Sequence, residues 1–258
     1  MLLQVPQERT GTAREAGLSI GLATSSSDIE AAQRLRHRVF VTEMGARTAG
    51  RTPGRDADIF DPWCEHIVLR DRATDRVVAT CRILAAHRAK RIGAFHAEGH
   101  FDLTRLSRLK PGMAEIGRVC AHPEYRTAAA GRLLWRGVGS LMHERGFQYL
   151  IGCAPMPMSD RGAGALRAYR QVAARHLAPI EHRVRARNPL LPDENGVLPA
   201  DDAVATLPPL IRAYLRAGAW IAGEPAWDAE FNTADLFFFL PVNRLGERRD
   251  RHPLAAAA

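Results

Sequence analysis

No stretch of this chain approaches the about 18 uninterrupted apolar residues that a membrane-spanning helix requires. The opening MLLQVPQERTGTAREAG is also apolar for too few residues to act as a secretory signal, so a cytoplasmic protein is expected, at most peripheral at the inner membrane. Cysteine is sparse: Cys64, Cys81, Cys120 and Cys153 stand far apart and form no C-x-x-C pair. That pattern predicts reduced, buried thiols and argues against disulfides and a zinc site. His37, His66 and His122 lack the spacing of metal ligands, so no metal is expected, and there is no internal repeat. Lysine is almost missing, with Lys90 and Lys110 alone, so arginine carries nearly all of a net charge of +8. Nucleic acid, anionic lipid and an acidic carrier protein all suit that sign. A nucleic-acid module would gather its arginines into a stripe with interleaved aromatics, whereas here they are scattered through the folding segments.

What is present is enough apolar content, 46% of 258 residues, for a real core. One compact catalytic domain is expected over residues 19–246, between a disordered leader at 1–18 and a disordered tail at 247–258. SSSDIEAAQRLRHRVFVTEMG offers a Ser or Asp cap, apolar Ile29, Ala32, Leu35, Val39 and Phe40 at helical spacing, and Gly45 as a stop. It predicts an amphipathic first helix. The following RTAGRTPGRDADIFDP, rich in Gly, Pro, Arg and Asp, reads as an exposed loop. HIVLRD and VVATCRILAA predict a hairpin, followed by an irregular segment to about Gly112. The series AEIGRVCA, AAAGRLLWRGVGSLMHERG and FQYLIGCA reads as strand, helix, strand, which predicts a parallel pair inside an otherwise antiparallel sheet. GAGALRAYRQVAARHL adds a helix, IEHRVRA a short strand, LPPLIRAYLRAGAWIAG a helix running into a strand, and TADLFFFLPV a strand that closes the sheet. The expected class is α/β (α+β), a mixed, mostly antiparallel central sheet with a parallel pair and helices on both faces.

Two places carry chemistry. In RTAAAG, Arg126, Ala129 and Gly131 nearly match an Arg/Gln-x-x-Gly-x-Gly/Ala loop, in which the N–H groups and dipole at a helix start face a phosphate. An ordinary strand-to-helix turn would show the same small residues. Around it stands a constellation: Arg36 and Phe40 one turn apart in RHRVF, Asp58 and Asp61 in DIFD, Arg82 in CRIL, and Glu115 and Arg118 in EIGR.

These residue types, in this order and at nearly these spacings, resemble the acyl-homoserine-lactone synthases, acyltransferases on the GCN5-related N-acyltransferase fold. RHRVFVTEMGA, FDPWCEHIVLRD, EIGRVCAHPEYR, LLWRGVGSLM and YLIGCAPMP resemble still more the bacterial ornithine N-acyltransferases, a likeness that runs from Ala31 to Val242. The lactone synthases usually carry a Trp at about Ala46, and its absence counts against lactone synthesis. The resemblance implies transfer of a (3-hydroxy)acyl chain from acyl-acyl carrier protein to the α-amine of L-ornithine, giving lyso-ornithine lipid. It implies acyl carrier protein as partner, its acyl-phosphopantetheine as donor substrate, and no permanently bound cofactor. Phosphopantetheine and the carrier protein would meet Arg126, Ala130, Gly131 and Arg132. A coenzyme A-dependent acetyltransferase is the alternative, but it predicts an intact glycine loop where this chain has Ala129.

An amine that is mostly protonated at pH 7 needs a base before it attacks a thioester. Glu115 is the candidate, directly or through water, set against a strand-edge carboxylate paired with an arginine. Arg118, three residues on, points to the opposite face of a flat strand. It shares a site with Glu115 only if the strand bulges, which Gly117 would permit. Asp58 and Asp61 suit a cationic acceptor, or equally a solvated loop with an Asp cap. Arg36 and Arg82 hold either the acceptor's carboxylate or the acidic loop. Phe40 falls on the apolar stripe of its helix, Tyr169 reads as packing beside Leu166 and Val172, and Leu150, Ile151, Phe237 and Phe239 suit an acyl tunnel or a core. Cys120 has no base in view, so no covalent intermediate is expected.

Overall fold

A computed structural model describes residues 17–47, 52–158, 160–190 and 206–245. The leader and tail lie outside the described residues except for Gly17 and Leu18, and Leu18 already pairs with Asp71 in a strand. In chain order the elements are β1 (Leu18–Leu22), α1 (Ser26–Arg36), a π-helical stretch (His37–Glu43), β2 (Glu65–Asp71), β3 (Val77–Ala85), α2 (Ala86–Ile92), β4 (Phe101–Asp102) and β5 (Met113–Ala121). There follow α3 (Ala128–Glu144), β6 (Tyr149–Pro157), α4 (Ala163–His176), β7 (Arg185–Ala186), α5 (Pro209–Ala217), β8 (Trp220–Ile221), β9 (Ala226–Asp228) and β10 (Thr233–Pro241). They form two compact units, each built from two chain segments: Met1–Ala94 with Ala114–Gly146, and Phe95–Met113 with Phe147–Ala258.

The first unit is an antiparallel run in the order β1-β2-β3-β5. Gly137 of α3 meets Ile20 and Ile67, so α3 covers the sheet face to which those side chains point. His66 and Arg82, paired across β2 and β3 and adjacent in sequence to the paired Ile67 and Cys81, point to the other face. There α1 lies, its start fixed by a capping box in which Ser25 Oγ accepts from the Asp28 N–H. The apolar stripe predicted one continuous helix to Gly45, but regular α geometry ends at Arg36. The π-helical turns beyond it, with the Met44 N–H donating to the Val39 carbonyl, keep Val39 and Phe40 buried up to the left-handed Gly45. The segment expected to be irregular contains α2, whose sequence AHRAKRI buries only Ala89 and so carries no stripe to betray it.

In the second unit β6 and β10 pair antiparallel over their full length, and the far side of β10 is taken by β8 and β9. TADLFFFLPV is thus an inner strand, correcting the expectation that it closes the sheet. Phe237, Phe238 and Phe239 are all fully buried, which fits an unbroken apolar run covered on both faces. Tyr214 of α5 stacks on Phe238 with ring centroids 4.6 Å apart. Leu150, Ile151, Phe237 and Phe239 are core side chains with no exposed surface. IEHRVRA forms only the two-residue β7, paired with β4.

Candidate active site

The acidic loop after the first helix is exposed at Thr52, Pro53, Gly54 and Ile59, as read from the sequence, but its acids turn inward: Asp56 and Asp61 are 1% and 5% exposed. Three buried or nearly buried arginines pull them in. Arg36 donates through Nε to Asp56 Oδ2 at 3.0 Å and through Nη2 to Asp61 Oδ2 at 2.5 Å. Arg82 reaches Asp61 Oδ1 at 2.5 Å and grips Asp58 with two nitrogens, at 2.6 and 2.7 Å. Arg118 donates to Asp56 Oδ2 and to Asp58 Oδ2, both at 3.1 Å. The six ion pairs close a ring, Arg36, Asp56, Arg118, Asp58, Arg82, Asp61 and back, with three cations and three anions in alternation. Gln33 and His66 add hydrogen bonds to the side chain and main-chain carbonyl of Asp61. Asp58 also accepts from the Phe60 and Asp61 N–H groups, so it caps the short turn it precedes.

Burial works against ionising these carboxyls, yet the hydrogen bonds and charge of Arg82 hold Asp58 well below the usual carboxylate range. Asp61 is lowered in the same way, burial being outweighed by Arg36 and Arg82. Of the two roles weighed for Arg36 and Arg82, the contacts made here are those that lock the loop.

Arg118 enters the ring because β5 is bulged. Thr80 pairs with Cys120 and Arg82 with Gly117, so β5 advances three residues where β3 advances two. The left-handed residue is Arg118 itself, at φ +52, and not Gly117. A non-glycine side chain in that region costs about 1–2 kcal/mol, which its two ion pairs offset. Glu115, paired with Leu84, is buried and shares the Arg82 face by strand alternation. Glu115 and Arg118 therefore border the same face of the sheet. Cys64 sits within the field of Arg82, Asp61 and Glu115, and burial pushes its thiol up to about 12; burial does the same for Cys120, also to about 12. Neither is poised as a thiolate nucleophile.

At the start of α3, Thr127 Oγ1 caps the Ala130 N–H and the Thr127 carbonyl accepts from Gly131. The remaining first-turn donors of the helix are those of Ala128 and Ala129. Ala129 stands where the loop signature has its first glycine, but its methyl is packed inward at 6% exposed, so it does not crowd the side from which a phosphate would approach. A Cβ at Gly131 would meet nothing within 4 Å. Arg126 donates to the Ala121 carbonyl and pairs with Glu43 from the π-helical stretch, while Arg132 is exposed. Sequence reasoning missed Asp56, Gln33 and His66; Asp56 was legible only as the first acid of DADIFD, two residues before Asp58.

Residues 35–136 match the family described as the acetyltransferase (GNAT) domain. The L-ornithine N(alpha)-acyltransferase of Brucella abortus (strain 2308) is 33% identical over 250 residues, covering 91% of this chain and 88% of that protein. The protein of the same name from Rhodobacter capsulatus is 35% identical over 243 residues, covering 89% and 92%. Among solved structures, FeeM, an N-acyl amino acid synthase from uncultured soil microbes, shares the fold with a TM-score of 0.52 at 11% identity, covering 88% of this chain and 94% of that one.

Proposed function

The chain belongs to the family of the L-ornithine N(alpha)-acyltransferases, and we propose that it moves a (3-hydroxy)acyl chain from acyl-acyl carrier protein to the α-amine of L-ornithine, giving lyso-ornithine lipid. It is an N-acyltransferase with a GNAT domain. In the proposed reaction Glu115 takes a proton from the α-ammonium, directly or through water, and the neutral amine attacks the thioester carbonyl. A tetrahedral oxyanion forms and collapses as the C–S bond breaks, and the proton that the nitrogen then gives up in becoming an amide goes to the sulfur, so that phosphopantetheine leaves as the thiol. The bulge is the observation that carries this reading. It takes Arg118 and Val119 out of register with β3, the kind of irregularity that frees a main-chain N–H for an oxyanion, and it puts Arg118 and Glu115 on one face.

Asp58, the most exposed carboxylate of the ring at 23%, is the one suited to the acceptor's second ammonium. Asp61, Arg36 and Arg82 then shape the acceptor site by holding Asp58 in place. Arg126 and Arg132 suit an acidic carrier protein, and the N–H groups of Ala128 and Ala129 its phosphodiester. The product is amphiphilic, so transient contact with the inner membrane surface belongs to the same proposal, as does the absence of a nucleic-acid partner and of a resident cofactor.

The test is a panel. Purified protein is incubated with acyl-acyl carrier proteins, acyl-coenzyme A donors and amino acids, and N-acyl products are detected by mass. Transfer from the carrier protein to ornithine is expected. Transfer solely from coenzyme A, or none to ornithine, overturns the proposal.

A further inference from the structure

Along the outer side of α1 the first unit holds an open groove of about 340 Å³ whose polar lining is Arg34, Arg38, Arg70, Asp75, Arg76 and His122. It shares no residue with the ring or with the start of α3. Two of its guanidinium groups are engaged: Arg34 by Glu30 at 3.4 Å, and Arg70 by Asp28 and by Asp75, whose carboxylate it meets at 3.7 Å. The other two are largely uncommitted. Arg38 has its nearest carboxylate, Glu43, at 3.9 Å, and Arg76 is exposed and makes no ion pair among the described residues. His122 is 5% exposed, yet neither of its ring nitrogens has a hydrogen-bond partner among the described residues; Glu124 comes only to 3.7 Å of Nδ1. A buried ring with two unmet polar atoms costs free energy unless something in the groove meets them.

We propose that this groove is a second ligand site, one that takes a phosphate group held by Arg38 and Arg76 and seated on His122. A carboxylate has two oxygens, whereas phosphate offers three or four oxygens in a tetrahedral array to donors arriving from several directions. One of its oxygens can accept from whichever imidazole nitrogen carries the proton. The volume leaves room for a substituent on the phosphate, so a phosphate ester fits better than the bare ion. The ester is either a small soluble molecule or the headgroup of an anionic lipid. The proposal is independent of the acyl-transfer reading.

The experiment follows the His122 imidazole resonances in isotope-labelled full-length protein, identified by their absence in His122→Gln, during titration with inorganic phosphate and glycerol phosphate. Saturable shifts are expected that sodium chloride at matched ionic strength does not reproduce. The double variant Arg38→Gln/Arg76→Gln, altered only at exposed positions, should bind about tenfold more weakly or worse. Co-sedimentation with phosphatidylglycerol vesicles, against phosphatidylcholine vesicles, distinguishes the sources. Retention lost in the double variant assigns the site to a lipid headgroup; shifts without retention assign it to a soluble phosphate ester. Absence of both shifts and retention, or shifts that persist unchanged in the double variant, overturns the proposal.

Discussion

The Nε of Arg118 lies 3.1 Å from Oδ2 of Asp56, and this contact joins the bulged strand to the loop residue that also holds Arg36. Without it the ring would be an open chain. Asp56→Asn keeps the shape and removes one buried charge, leaving Arg36 and Arg118 short of an anion. Breaking a buried pair in this way costs about 3 kcal/mol or more. Urea unfolding should show that loss, accompanied by lower turnover; an unchanged midpoint would remove Asp56 from the list of supports.

Arg118 also permits a separation of strain from charge. Arg118→Ala and Arg118→Gly both delete the two ion pairs, but only alanine keeps a side chain at a left-handed φ. The glycine variant should be the more stable of the two by about 1 kcal/mol. Equal urea midpoints would mean that the backbone relaxes once the guanidinium is gone.

Glu115→Gln should lower kcat by about a hundredfold or more while KM for the donor changes little, because a general base acts on the step and not on donor affinity. Far-UV circular dichroism controls for folding. Full retention of kcat would assign the base elsewhere.

Acid should act through the ring. Asp58 and Asp61 ionise in the folded state below the ordinary aspartate value of 3.8, so on acidification the unfolded chain takes up these protons first. Their stabilisation is complete above 3.8 and is lost as pH falls through the lowered folded values. The ring's contribution should therefore be level from about pH 7 to 5 and drop below about 4, in addition to the decline below 6.5 that His66 and His122 bring, since burial lowers both imidazoles in the folded state. Asp58→Asn should start lower at neutral pH and fall less steeply in acid, as read by urea titrations at several pH values.

Packing on the opposite face is equally exposed to test. A Cβ at position 137 would stand 2.2 Å from Cδ1 of Ile20, so Gly137→Ala requires Ile20 to move. Overpacking of this kind costs about 1–3 kcal/mol. Adding Ile20→Val should recover part of the loss, and thermal unfolding of the single and double variants measures the coupling.

Legibility followed the physical origin of each feature. The first helix, the β2–β3 hairpin, α3 and β10 announce themselves through periodicity, caps and unbroken apolar runs. The π-helical turns do not, because Val39 and Phe40 continue the apolar stripe whether the turn is regular or wide. The ring members Arg36, Asp58, Asp61, Arg82 and Arg118 were nameable from spacing and resemblance, but their closure was not. It depends on one extra residue in β5, and nothing in EIGRVCA says that the arginine, with a glycine beside it, takes the left-handed conformation. The inward turn of the loop's acids was hidden for a related reason: Gly, Pro, Arg and Asp ordinarily mean solvent, and only the three arginines waiting for those acids reverse that.

The ring also bears on when the protein becomes competent. Its contacts join residues as far as 62 positions apart, so closure must wait for the first helix, the hairpin and the bulged strand to be in place together. Partly folded chains then hold no half-assembled version of it. Competence should arrive in one late kinetic phase, coincident with the last recovery of native structure, and partial unfolding of the first unit should abolish it entirely.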